Sequence, residues 1–106
     1  DYIRKAYGAH GHGGAAHASM NFARFCEAQL VWDTVMARGA LNYLKANPER
    51  VMVLIAGSGH VQRPGIPTQL GERSTLPFAI LLPETEGSFE REGIDTTVAD
   101  YLILPP

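Results

Sequence analysis

The six residues Val51-Met52-Val53-Leu54-Ile55-Ala56 constrain the fold of this chain more than any other stretch. They make an unbroken apolar, largely β-branched run that ends in Gly57-Ser58-Gly59-His60. A strand with one wet face alternates; a continuous run predicts a strand buried on both faces, as in a parallel sheet covered by helices. A second such run, Phe78 to Leu82, is closed by Pro83, and a third, Tyr101 to Leu104, is stopped by Pro105-Pro106. Pro67 to Glu72 predicts a short helix with proline in its first turn. Glu84 to Thr97 is polar and reads as loop. Upstream, one long helix is expected from Ser19, a candidate N-cap, to Ala46, where Asn47-Pro48 stops it. Helix, strand, short helix, strand, strand is an α/β order: a mostly parallel sheet flanked by one long helix and one short helix. At 106 residues the chain is a single domain.

Composition narrows the function classes. With 45% apolar residues and a formal charge of −2, the chain can bury a core and is not of the disordered type. The 9 Lys and Arg are scattered, so there is no basic footprint for nucleic acid. The apolar runs fall far short of the ~20 residues of a membrane span. A single cysteine, Cys26, excludes an internal disulfide, a multi-thiolate metal site and covalent haem attachment through C-x-x-C-H. The chain opens Asp1-Tyr2-Ile3-Arg4-Lys5 without an initiator Met or a leader. Either a leader has been removed or the sequence is part of something longer.

Placed at 100° per residue, the long helix gathers Phe22, Phe25, Cys26, Trp32, Met36, Ala37, Ala40, Tyr43 and Leu44 on one broad face. Gln29 and Asp33, one i,i+4 step apart, break that face near its centre. A buried carboxylate without partners costs several kcal/mol, so both side chains must have specific partners. Those partners are either a structural network, such as an arginine or a loop, or a polar site between helix and sheet.

Gly57-Ser58-Gly59-His60 leaves the carboxyl end of the expected buried strand, the place where open α/β sheets bind ligands. The glycines allow a sharp turn and close approach. His60 there can ligate metal, shuttle protons or donate a hydrogen bond. A nucleophile elbow is excluded because Ala56 stands where its first glycine belongs. Gln62 replaces the third glycine of a dinucleotide fingerprint, and no P-loop lysine follows. Near the start, Gly8 to Gly14 is too glycine-rich for regular structure, and the loop 8–18 carries His10, His12 and His17. Neutral imidazoles suit Zn, Cu, Fe and Ni, so this loop is either a transition-metal or haem contact or a partly protonated surface loop.

Three stretches together resemble one family. Phe22-Ala-Arg-Phe25, Ala28-Gln29-Leu-Val-Trp32-Asp33 and Met36-Ala37 resemble the F..F..AQ..WD..MA helix of the ChaN-like haem-binding lipoproteins. Gly57-Ser-Gly-His60-Val61 followed by Gly65-Ile66-Pro67 is similar to that family's G-x-G-H-V…G-I-P stretch, and Ala99-Asp100-Tyr101 to its closing strand. The resemblance implies a bacterial periplasmic or cell-envelope protein that binds haem and serves iron acquisition, distantly related to metal-dependent peptidases and erythromycin-esterase-like hydrolases. It implies that His60 belongs to the binding or active site. It also implies that this chain is the carboxyl-terminal portion of a larger α/β domain, because the family's opening βα portion with its Gly-Glu-x-His motif is not found here. The histidine loop lies outside the motifs that carry the resemblance.

Three functions follow as alternatives. The first is a haem- or metal-binding envelope module, with His60, Gly57, Gly59, Gln29, Asp33 and His17 around the ligand and His10, His12 and His17 as metal donors. The second is a metal-dependent hydrolase using His60. The third is a non-catalytic interaction domain. A small parallel sheet also leaves an unpaired strand edge, which a second copy could cover in a homo-oligomer sharing a site.

Overall fold

The computed structural model describes residues 2–10 and 22–106. Helix α1, Tyr2–His10, docks on helix α2, Phe22–Ala46. Tyr7 meets the rings of Phe22 and Phe25 edge-on at 5.5 and 5.3 Å, and the Arg4 guanidinium lies 4.6 Å from the Phe22 ring centre. This docking corrects the expectation that regular structure is lost from Gly8 onward: α1 runs through Gly8, Ala9 and His10. A glycine inside a helix costs about 1 kcal/mol, which aromatic packing of this kind offsets. The proposed N-cap Ser19 lies outside the described residues. At the other end α2 stops at Asn47 as expected, and the Asn47 side-chain amide donates to the Tyr43 carbonyl at 2.9 Å.

The buried stripe of α2 is Phe25, Gln29, Asp33, Ala37 and Ala40, spaced four, four, four and three apart. It is narrower than the face drawn from the helical wheel. Trp32 and Tyr43, placed on that face, are exposed, at 62% and 51%. The reason is that α2 packs mainly on one short neighbour, α4, Ile66–Gly71, where Ile66, Pro67 and Gln69 are buried. Buried Gln69 accepts from Thr34 Oγ1 (3.1 Å) and from Arg73 Nη1 (2.8 Å), so the helix pair is also tied by polar bonds.

Two strands form the sheet. β1, Leu81–Pro83, runs parallel to β2, Tyr101–Ile103, with Leu82 opposite Leu102. The α/β class with parallel pairing therefore holds, while the first expected strand does not. Residues 51–56 carry no assigned strand and pair with no sheet among the described residues, and Val51, Val53 and Ile55 are 95%, 83% and 92% exposed. Met52, Leu54 and Ala56 are half-buried, so the run lies like a half-covered strand rather than a doubly buried one. Among the described residues none pairs with its backbone. β1 also begins later than Phe78, because Ile80 gives its N–H to Asp100 Oδ2 (2.8 Å) and its carbonyl to Asp100 and Tyr101 N–H.

Ile80, Leu82 and Ala99 form the core under the sheet, with Val61, Phe89, Ile94, Val98 and Leu102 packed against it. The segment between the strands is mostly irregular, as its polarity suggests, with a single turn of 3-10 helix at Arg91–Gly93 and an Arg91–Glu84 pair at 3.0 Å. Arg63 pins the region after His60 to this unit. Its N–H donates to Val98 O (2.8 Å), its Nε to Thr96 O (2.7 Å), and its guanidinium pairs with Asp100. No described helix is long and apolar enough to cross a membrane.

Candidate functional site

The polar break in the α2 stripe meets His60. Gly57 does not lead into an open turn as expected; it caps a one-turn helix, α3, Ser58–Val61, and its carbonyl accepts from His60 N–H (2.8 Å) and Val61 N–H (3.3 Å). Val61 reaches the sheet core on one side, which directs the preceding residue, His60, toward α2 on the other.

Asp33 Oδ1 lies 2.6 Å from His60 Nδ1, the length of a charge-assisted hydrogen bond. Gln29 Nε2 donates to Gly59 O at 2.9 Å and sits 2.9 Å from the same ring nitrogen. One nitrogen has one in-plane position, so only one of these contacts can hold its proton. An ionised carboxylate can only accept, so the shorter contact is Nδ1–H donating to Asp33 Oδ1. Gln29 then holds the turn through Gly59.

The Asp33 side chain is 4% exposed and that of His60 26%. Burial pushes the Asp33 carboxyl above its ordinary range; the hydrogen bond and charge of His60 pull it part of the way back. The carboxylate is thus expensive to bury and has one partner that compensates it. With Nδ1–H committed to Asp33, the lone pair of the neutral ring is on Nε2. That atom has no hydrogen-bond partner among the described residues. The arrangement is a neutral nitrogen donor backed by a carboxylate, able to ligate a metal or take a proton.

Of the candidate residues, the structure brings together Gln29, Asp33, Gly57, Gly59 and His60. Asp33 pairs with this histidine rather than with an arginine. His10 ends α1, whereas His12 and His17 lie outside the described residues. Among the described residues there is no cluster of three or more His, Cys, Asp or Glu suited to a metal. One residue that sequence reasoning gave no role is Gly65, which is buried against the backbone of His60. Its signal was the five-residue interval from His60 to a glycine placed just before Ile66-Pro67.

Comparison with known proteins agrees with the geometry. A family model described as haem-binding uptake, Tiki superfamily, ChaN, matches residues 1–70, which include both α2 and the His60 turn. No curated protein and no solved structure matches the chain.

Proposed function

Because the chain belongs to the ChaN-like haem-binding uptake family of the Tiki superfamily, we propose that it binds haem non-covalently, with His60 Nε2 as the iron donor. The observation that carries this is the 2.6 Å Asp33–His60 contact, which leaves Nε2 as the ring nitrogen with no partner among the described residues. The residues fit such a ligand. Imidazole is a common haem-iron donor, and a carboxylate on its far nitrogen fixes the ring and raises its basicity. The lone Cys26 leaves non-covalent contacts as the means of retention.

Haem, when bound, would supply a Lewis-acidic iron set in a broad apolar ring. Asp33 holds the Nδ1 proton, and Gln29 anchors the turn through Gly59. His10, His12 and His17 are proposed as additional donors, to the haem or to a transition metal. Family and ligand together support a role in iron acquisition at the bacterial cell envelope, in the periplasm or on a lipoprotein.

Haemin titration followed by visible absorption tests the reading. A sharp Soret band should saturate with the wild-type chain and be lost or strongly weakened in His60→Ala. An unchanged haemin spectrum, or an H60A protein that binds equally well, would sink it. The same dyad favours a second reading, a metal-dependent hydrolase in which His60 helps hold the metal or takes a proton from water. Turnover that requires added metal and is lost in H60A, in a protein that does not bind haemin, would favour that alternative.

A further inference from the structure

The turn that carries His60 has little support of its own. Apart from the two bonds to Gly57 O, it is braced by Gln62 Nε2 donating to Ser58 O at 3.1 Å. Its position comes from outside. On one side Gln29 holds Gly59 O, and Val61 is packed into the sheet core. On the opposite side stands Gly65, itself held by its N–H donating to Gln62 O at 2.8 Å.

A Cβ at Gly65 would lie 2.2 Å from the His60 carbonyl oxygen, 2.9 Å from its carbonyl carbon and 3.2 Å from its Cα. Gly65 has φ −85° and ψ −128°, in neither the helical nor the extended region, and the His60 backbone fills the space where its side chain would go. The neighbouring glycines differ. A Cβ on Gly57 would make only an ordinary 3.8 Å contact with the His60 ring, and one on Gly71 would meet nothing within 4 Å.

We propose that Gly65 is a positioning residue for His60: its bare Cα is the surface against which the His60 backbone seats, and that seating brings Nδ1 into hydrogen-bond range of Asp33. Ordinary contact begins at 3.4 Å, so a methyl group at position 65 displaces the His60 carbonyl, or the glycine turn, by roughly 1 Å. A hydrogen bond of 2.6 Å lengthened by that amount is no longer one. The ring then loses the partner that keeps its proton on Nδ1. Freed in water, a neutral imidazole prefers the proton on Nε2, which removes the lone pair from that atom. Gly65 thus acts on the chemistry of the site without touching a ligand. The inference deepens the haem reading and rests on it for the consequence for binding, but its first readout needs no haem.

Gly65→Ala and the control Gly71→Ala are to be compared in ¹⁵N-labelled protein, with the ring neutral. Long-range ¹H–¹⁵N correlations, assigned by their loss in H60A, report which nitrogen of His60 carries the proton. Wild type and G71A should show Nδ1–H; G65A should shift mostly to Nε2–H while keeping a cooperative unfolding transition. Its haemin affinity should fall about tenfold or more, the usual effect of losing a supporting contact behind a ligand. A G65A protein that retains Nδ1–H overturns the proposal. So does one that no longer folds, which would make Gly65 a folding residue. If G65A switches tautomer but the wild type ignores haemin, the positioning role stands and the haem reading fails.

Discussion

Among the described residues Asp33 is the charged side chain most deeply set into the fold, 2% exposed, and its cost can be read in its pH dependence. Its carboxyl is held above its ordinary range, chiefly by burial, so the folded chain binds this proton more tightly than the unfolded chain does. The stability linked to it is complete below the unfolded value of about 3.9 and is lost as pH rises through the folded value. Asp33→Asn removes that slope while its Oδ1 can still accept from His60 Nδ1. Urea unfolding at steps from about pH 4 upward should therefore show a flatter profile for D33N than for wild type. Parallel profiles would mean that burial does not govern Asp33. The sequence made this residue conspicuous, because a carboxylate interrupts an apolar helix face four residues after Gln29. Its partner was out of reach, since His60 lies 27 residues away and no local periodicity carries that information. Gly65 was harder still, because a glycine needed for space looks the same in a sequence as a glycine in open solvent.

At the scale of elements, legibility followed local physics. The end of α2 at Asn47 and the short proline-led helix at Ile66–Gly71 came from signals within a few residues, and parallel pairing from the order of elements. What failed depended on neighbours. Gly8 is helical because aromatic rings dock α1 on α2, and Trp32 is exposed because α2 has only a narrow partner. The run at 51–56 has strand chemistry, but no described strand pairs with it. An extended β-branched edge of this kind is prone to intermolecular pairing, and a lysine at such an edge blocks it. Val53→Lys should hence reduce concentration-dependent association in sedimentation velocity. Its unfolding midpoint should stay close to wild type, because Val53 is 83% exposed. Equal association of both proteins would show that the run is not a sticky edge.

The whole molecule shows in the site as a convergence. α2 supplies Gln29 and Asp33, the one-turn helix supplies His60, and the turn before α4 supplies Gly65. Arg63 fastens that turn to the sheet through Val98, Thr96 and Asp100. No one of these stretches makes the Asp33–His60 bond; only the assembled fold does. The protonation of the His60 ring therefore reports on tertiary structure and on ligand readiness together. The most direct measurement is the ¹⁵N spectrum of His60 in the folded wild-type chain, with the ring neutral, and again in denaturant. A proton on Nδ1 and a bare Nε2 in the folded chain, reverting to Nε2–H on unfolding, is the predicted result. A folded chain already in the Nε2–H form would contradict it, because the ring lone pair would then lie on Nδ1 and Nε2 could not act as a ligand.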